Sequence, residues 1–572
     1  MKSSINVQKN NDVVDELLNN SIVIDKALAP SIFYGIGLGL ILLMAMIYIS
    51  SWVGLLFNTR PGVYLFAIAA VVSALFVILL LHGPKFSRII TGLFVPLCII
   101  LAAGMFANTI LDSSYDGLMY HQSAVLAIQS GWRPFFEPLS TSSLWLNHYP
   151  KASWVVGATF SNIFHSVEAM KAQNIVFIVA AWSLSFAAFQ ACLSRLHWGY
   201  ALLFSTVVAA NPVSIYQAMT GYNDGLLASQ ITCLVALTFL ALEPQRRLCV
   251  VALALLIPYT VNLKFTATIY VIALSLGLFV VLFIYRMRTA AKFLAPSIIA
   301  GCIFGIFIFG IDPYITNFWS HGHPFYPVQG IGKVDIMTSN LPGNFVGKNY
   351  LYKMFYGSFG VPAAWRPELN DVLISIVPRL WYFLAFKFAD VRVGGFGPIL
   401  SVLVLLLIFG FATSRKLTKN QWQLIFVSML LAVSGLINPE AWWARYVPQM
   451  WIAFAGLALV LVITPSFTIV PKSLGNIALC VMVLNSLSIG VVAGTSFFAN
   501  DLIWRTVLAS LAAESQKEPI NVYFSDHSAV RKRLDSFGVR YTLVENSKNC
   551  KDGTSLIPQP NSALTKVMIC KN

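Results

Sequence analysis

Charged residues are scarce in this chain of 572 residues: only 11% are Asp, Glu, Lys or Arg, and 57% are hydrophobic. A soluble protein carries about a quarter charged residues, so the composition excludes an ordinary soluble domain. The sequence also lacks zinc-type cysteine spacing, a P-loop, a Rossmann glycine fingerprint and any internal repeat. The alternating pattern of a membrane barrel is missing too. A helical membrane protein is the class that these absences leave.

Long apolar runs are what the sequence has in abundance. A helix needs about 20 residues to cross roughly 30 Å of hydrocarbon. We therefore predict an all-α polytopic membrane protein with about thirteen transmembrane helices. The predicted spans are approximately residues 31–58, 62–82, 89–111, 168–194, 199–216, 225–242, 248–262, 265–285, 293–311, 395–413, 421–437, 446–464 and 474–497.

The net charge of +15 predicts an orientation rather than a nucleic-acid partner, because the basic residues gather in short connections. Residues 1–30 form a polar tail that does not read as a cleaved signal, and we place it in the cytoplasm. The C-terminus then lies outside if residues 152–165 form a juxtamembrane helix on the outer side. The basic residues of the inner connections are Lys85, Arg88, Arg195, Arg246, Arg247, Arg286, Arg288, Lys292, Arg415, Lys416, Lys419 and Lys472.

This topology divides the chain into a membrane domain, residues 31–500, and a small outer domain, residues 501–572. The membrane domain has two long outer loops, 112–168 and 312–394, and loops of this length are usually functional. The outer domain is predicted to be α/β. Its predicted elements are a strand at Ile520–Ser525, a helix from Asp526 to Phe537 that Gly538 ends, and a strand at Val539–Val544. Whether Cys550 and Cys570 form a disulfide stays open.

The segment from Asp112 to His121 concentrates ionisable side chains at the mouth of a predicted span. Carboxylates are costly in hydrocarbon, so they belong at the interface or in a polar cavity. A short helix over Gly117–Gln129 would put Asp116 and Tyr120 on one face. Asp116 could then act as a general base. The alternative interpretation is an N-capping aspartate beside interfacial aromatic residues.

Three further segments carry candidate binding residues at outer helix ends. Lys151 could neutralise a phosphate or only anchor its helix. Tyr222 and Asp224 precede another span, where Asp224 could bind an acceptor, hold a divalent metal ion, or simply cap the helix.

The remaining two candidates lie farther along the chain. His321 and His323 form a weak metal motif, and His323 could bind substrate. Arg445 suits bidentate phosphate recognition, although an ion pair between Glu440 and Arg445 is the competing interpretation.

The order of these motifs resembles the GT-C glycosyltransferases, a group that includes bacterial protein O-mannosyltransferases and aminoarabinose transferases. The matching elements are Asp116-x-x-x-Tyr120-His121, Tyr149-Pro-Lys151, and Asn211-Pro followed by Tyr222-Asn-Asp224. The resemblance implies a donor sugar on polyprenyl phosphate, with Asp116 as base, Lys151 at the donor phosphate and Asp224 as a second acidic site. More than one predicted span precedes the first loop, where the family usually has one. Asp112 is a rival base, and the Asp-Glu pair of protein mannosyltransferases is absent.

We therefore expect an inner-membrane glycosyltransferase that acts on an envelope glycan or glycolipid, with membrane lipids around it. The sequence requires no cofactor, and a divalent metal ion stays an open possibility. Three alternatives are kept. An O-antigen polymerase or ligase would use arginines of the second loop, such as Arg366, Arg379 and Arg392. A transporter or flippase of lipid-linked saccharides, and a non-catalytic assembly factor, are the others.

Overall fold

The computed structural model describes residues 32–80, 89–141, 143–193, 196–242, 247–375, 377, 379–414, 416–464, 469–524, 528–545, 554–556 and 567–570. Within these ranges the fold is mostly helical. Seven helical stretches are long and apolar enough to cross a membrane by length and composition. They are Ile32–Leu56, Ile90–Asn108, Val167–Cys192, Asp224–Ala241, Phe265–Ile284, Arg288–Phe307 and Ile469–Ser515.

The α-helices of the described residues are numbered in chain order. They are α1 (Ile32–Leu56), α2 (Val63–Leu80), α3 (Val95–Asn108), α4 (Gln122–Gln129), α5 (Leu144–His148), α6 (Ala152–Phe164), α7 (Ala172–Cys192), α8 (Trp198–Ala209), α9 (Pro212–Tyr216), α10 (Asp224–Ala241), α11 (Arg247–Val261), α12 (Phe265–Ile284), α13 (Arg288–Phe307), α14 (Thr316–His321), α15 (Tyr350–Phe359), α16 (Leu369–Ser375), α17 (Leu400–Thr413), α18 (Lys419–Leu436), α19 (Gln449–Val462), α20 (Ile469–Ser515) and α21 (Ser528–Ser536).

Tighter or wider helical turns connect several of these helices. π-helical turns cover Ile90–Phe94, Gly117–His121 and Ile311–Ile315, and 3₁₀ turns cover Val167–Lys171, Thr338–Asn340, Leu380–Lys387 and Ala444–Tyr446.

Every predicted apolar run contains a helix, but the number of spans is not settled at thirteen. Several runs form shorter apolar helices of 10–17 residues, including α8, α11, α17 and α19. The predicted span 199–216 is broken, because Pro212 lacks an N–H and Asn211 starts the separate helix α9. The Asn211 side chain accepts from Val213 N at 3.1 Å and donates to the Pro448 carbonyl at 2.8 Å. The orientation of the termini stays a prediction.

Helix α1 forms the centre of the membrane domain and is buried along most of its length. It packs against α7, α2 and α11. Small residues allow the close approach: a Cβ at Gly39 would lie 2.1 Å from the Gly92 carbonyl oxygen, and one at Gly37 would lie 2.7 Å from Leu184. Glycines at such contacts let helix backbones meet in a membrane domain.

The C-terminal region forms a four-stranded sheet with the order β2-β1-β4-β3. The strands are β1 (Ile520–Phe524), β2 (Tyr541–Leu543), β3 (Thr554–Ser555) and β4 (Val567–Cys570). Helix α21 connects β1 to the parallel strand β2, while β4 pairs antiparallel to β1. Gly538 follows α21 with a φ of +71°. Cys570 is disulfide-bonded; Cys550 and Asp526 lie outside the described residues.

Helix α20 differs from the prediction at its C-terminal end. The predicted last span stops at residue 497, yet the helix continues without a break to Ser515. The extension buries Trp504, Leu508 and Leu511 against the C-terminal sheet and α21. This contact keeps helical a segment that is too polar to be read as a membrane span.

Candidate active site

A cavity of about 1460 Å³ opens at the ends of several helices. Its walls come from the first loop, the starts of α10 and α12, the second loop, and the connection between α18 and α19. The acidic, basic and histidine residues that line it are Asp116, His121, Asp224, Lys264, His323, Lys333, Asp335, Asp390, Arg392, Glu440 and Arg445.

Asp112 holds the backbone of the segment that contains Asp116. Its carboxylate accepts from Ser114 N at 2.8 Å and from Gly221 N at 2.7 Å, and the residue is fully buried. Gly117 is required here, because a Cβ on it would lie 2.0 Å from the Asp112 carboxylate. Burial raises the pKa of Asp112, with Lys171 opposing the rise. Asp112 does not line the cavity. It joins the first loop to the segment that leads into Asp224.

Arg445 lines the cavity, where it faces three carboxylates. Its Nη1 lies 3.4 Å from Asp116 Oδ2 and 3.6 Å from Asp224 Oδ2, and its Nε lies 3.5 Å from Asp390 Oδ1. Lys264 forms a second ion pair with Asp224. The alternative interpretation, an ion pair between Arg445 and Glu440, is not found among the described residues: Glu440 accepts from the Trp442 indole at 2.5 Å instead.

Aromatic rings pack against both of these cations. The Arg445 guanidinium lies 5.1 Å from the ring of Tyr222 and 4.2 Å from that of Trp443, and Lys264 lies 4.1 Å from the ring of Tyr446. Electrostatic interactions in such an enclosed site are stronger than in open water. A guanidinium and an ammonium held side by side make a good site for an oxyanion.

Asp116 is a mostly buried carboxylate that lines the cavity. Burial raises its pKa to about 6, with Arg445 and Lys264 opposing the rise and Asp390 and Asp224 adding to it. Its side chain keeps 21% exposure toward the cavity. A carboxylate with such a pKa is mostly ionised at neutral pH and is more basic than an exposed aspartate.

His121, which lines the same cavity as Asp116, is held as a neutral imidazole. The Trp154 indole N–H donates to its Nδ1 at 2.7 Å. Since an indole nitrogen can only donate, the neutral ring carries its proton on Nε2. Burial lowers the pKa of His121 to about 3. Tyr120 and Tyr149 pack around the ring at 4.1 and 6.1 Å between ring centroids.

Lys151 lies outside the cavity lining. Its ammonium pairs with Asp312 at 2.9 Å and donates to the carbonyls of Tyr149 and Asn147 at 2.9 and 3.1 Å. Burial lowers its pKa, with Asp312 opposing the fall. The structure thus places this predicted phosphate ligand in an ion pair that joins the first loop to the second.

The other predicted site residues fall into the cavity. Tyr120, Tyr222 and His323 all line it, and His323 Nδ1 accepts from Phe325 N at 3.1 Å. His321 instead stacks on Tyr326 with 3.5 Å between centroids. Among the described residues, no group of three or more His, Cys, Asp or Glu could hold a metal ion. The donor set does not fit a divalent metal at Asp224, because Lys264 and Arg445 already face its carboxylate.

The sequence reasoning missed Lys264 and Asp390. Lys264 lies in the two-residue gap between the predicted spans 248–262 and 265–285. Its position close after Asn262, at the end of a predicted span, was the only sequence feature that marked it as a candidate site residue. Asp390 lies in the second loop two residues before Arg392, whose Nε is 3.5 Å from its carboxylate. The cations and carboxylates thus alternate along one wall of the cavity.

The chain is similar in structure to ArnT from Cupriavidus metallidurans. The apo structure shares 12% sequence identity with a TM-score of 0.43, and the structure bound to undecaprenyl phosphate shares 14% with a TM-score of 0.36. Each comparison covers 79% of this chain and 85% of ArnT. No family model matches the chain, and no curated protein is significantly similar to it. ArnT is an aminoarabinose transferase, a GT-C glycosyltransferase. The sequence resemblance names the same class of enzyme.

Proposed function

We propose that this protein is an inner-membrane glycosyltransferase that moves a sugar from a polyprenyl-phosphate-linked donor to an envelope glycan or glycolipid on the outer face. The observation that carries the proposal is the position of Asp116, 3.4 Å from Arg445 in a large cavity that Lys264 also lines. A base and a phosphate site are thus next to each other. The transfer of a sugar from a phosphate needs both of them.

Arg445 and Lys264 bind the donor phosphate in this proposal, in place of the predicted Lys151. Both cations line the cavity, and both are paired with carboxylates that a phosphate oxygen can replace. The two cations then stabilise the negative charge that develops on the departing phosphate. Because they are already in position, this lowers the activation barrier of the transfer. Asp224 keeps the two cations together in the free enzyme and orients the acceptor once the phosphate is bound.

The lipid tail of the donor leaves the cavity beside α12. Thr266, Ile269 and Tyr270 line the cavity from one face of that helix, and Ile437 lines it at the end of α18. Ile269 and Ile437 are both exposed, as expected for side chains that meet lipid. This opening lies at the ends of two apolar helices, where a polyprenyl chain can stay in hydrocarbon while its phosphate reaches Lys264.

The transfer is a single displacement at the anomeric carbon. An acceptor hydroxyl or amine gives its proton to the Asp116 carboxylate as its oxygen or nitrogen bonds to that carbon. The bond from the anomeric carbon to the phosphate oxygen breaks, and the polyprenyl phosphate leaves with the electron pair. One displacement inverts the anomeric configuration. His121 donates its Nε2–H as a neutral group, so it orients an oxygen without adding positive charge to the cavity that Asp116 also lines.

A polymerase or ligase of lipid-linked saccharides is the second candidate, because Arg392 also lines the cavity. Its guanidinium donates to the Asn340 side chain at 2.8 Å and lies 5.6 Å from the rings of both Trp365 and Trp443. A second anionic or saccharide substrate could bind there. Formation of chains longer than one added sugar would favour this candidate.

The test is sugar transfer by the purified protein in detergent. Radiolabelled polyprenyl-phosphate sugars are offered with extracted envelope glycolipids, and Asp116→Asn is measured in parallel. We expect transfer by the wild type and a loss of about 10²–10⁴-fold in kcat in the variant, the range for a general base. Binding of lipid-linked saccharide without transfer from any donor would instead favour a transporter. An active wild type with an unimpaired variant would remove Asp116 as the base.

A further inference from the structure

The C-terminal domain contacts the loop that carries Asp116 through one buried arginine. Arg533 of α21 is 3% exposed. Its Nη2 and Nε lie 2.5 and 3.2 Å from Glu168 Oε1, and its guanidinium lies 5.1 Å from the ring of Trp504 in α20. The contact joins residues 365 positions apart in the sequence.

Glu168 also binds the residues at the start of the first loop. Its second oxygen, Oε2, accepts from the Asp112 backbone N–H at 2.9 Å, from Lys171 at 2.7 Å and from the Gln122 side chain at 3.2 Å. Lys171 also donates to the Ile110 carbonyl. The backbone on both sides of Leu111 is therefore held by one buried ion cluster.

The same loop is supported from the C-terminal side at two more places. Leu118, in the π turn after Asp116, is fully buried in the cluster formed by Trp504, Leu508 and Leu534. The Leu111 N–H donates to Asp501 of α20 at 2.8 Å. The π turn thus has its back against the C-terminal domain while Asp116 and His121 face the cavity.

We propose that Arg533 is a positioning residue: through Glu168 and the Asp112 backbone, the C-terminal domain fixes the loop that sets the place of Asp116. A buried ion cluster is a weak way to gain stability, because desolvation offsets much of the attraction. It is an effective way to fix geometry, since three donors converge on one carboxylate oxygen. The catalytic consequence rests on the function proposed above, but the structural claim does not.

The kinetic test compares Arg533→Met with Arg531→Met in the full-length protein. Arg531 lies on the same helix, is exposed, and donates to the Tyr541 hydroxyl, so it is a matched control. Small displacements of a catalytic group are costly, and we expect Arg533→Met to lower kcat about tenfold or more. KM for the donor should stay within about twofold, because Lys264 and Arg445 lie on other elements. Arg533→Lys, which keeps a cation, should recover part of kcat.

Hydrogen–deuterium exchange of the peptide covering residues 110–121 gives a readout that does not depend on transfer. Exchange should rise in Arg533→Met, fall back toward wild type in Arg533→Lys, and stay unchanged in Arg531→Met. Unchanged exchange in Arg533→Met, or a lower melting temperature with an unchanged kcat per folded enzyme, would overturn the positioning role. An inactive wild type that still shows the exchange difference would overturn the proposed function and leave the positioning role standing.

Discussion

Lys151 and Lys264 are similar in sequence setting and opposite in surroundings. Each directly precedes a helix and pairs with an aspartate. The three N–H groups of Lys151 have three partners, Asp312 and the carbonyls of Asn147 and Tyr149. Among the described residues only Asp224 accepts from Lys264, which lines the cavity. A buried lysine is available to a substrate when its donors are not already used, and the sequence does not display this property.

Replacing each of the two lysines should produce the largest difference in kcat/KM. Lys264→Met should lower it about 10²-fold or more, because one of the two proposed phosphate ligands is lost. Lys151→Met should leave kcat/KM of the folded enzyme near the wild-type value. It should lower the melting temperature, since Asp312 stays buried without its partner. Transfer assays and thermal unfolding of both variants in detergent measure this. Equal losses of kcat/KM would return Lys151 to the phosphate site.

A smaller effect is expected from the hydrogen bond that sets the tautomer of His121. Trp154→Phe removes the donor to Nδ1, so the neutral ring is free to move its proton away from Nε2. A single hydrogen bond is worth up to about tenfold in rate. Trp182→Phe is the matched control, because that indole donates to Thr206 at 3.1 Å far from the cavity. Imidazole ¹⁵N shifts and kcat of both variants measure the effect, and an unchanged tautomer in Trp154→Phe would contradict it.

The smallest effect is a displacement of the pH profile. Activity that needs the Asp116 carboxylate is lost as pH falls through its pKa of about 6. Asp390 contributes to raising that pKa in the free enzyme, so Asp390→Asn should move the acidic limb of kcat/KM to lower pH. Asp335→Asn removes an exposed carboxylate at the cavity mouth and should leave the limb in place. A limb that moved to higher pH in Asp390→Asn would show that another group controls the rate.

The helices were the predictable part of this structure. An apolar run of membrane length leaves a chain few alternatives to a helix, so the run from Ser31 to Asn58 became α1 with boundaries moved by one or two residues. The short helix predicted over Gly117–Gln129 is also present, as a π turn followed by α4. Positive charge in the connections predicted an orientation that no contact within the protein tests.

The partners of the polar residues were not predictable. Asp112 and Asp116 lie four residues apart in one polar segment. Asp112 accepts from the backbone of Gly221, whereas Asp116 faces Arg445. Arg445 is 329 residues from Asp116 in the sequence. Local pattern shows which residues can carry chemistry, whereas only tertiary packing decides which of them meet in one cavity.

Helix α20 runs for 47 residues, about 70 Å at 1.5 Å per residue, from the membrane domain into the C-terminal sheet without a break. One residue added within its outer part would turn everything beyond it by about 100° and carry Arg533 away from Glu168. Residues 498–515 should therefore accept substitutions on their exposed face but no change in length. Homologous chains and engineered fusions alike must keep this spacing, and added sequence is better placed in the loops of the C-terminal domain.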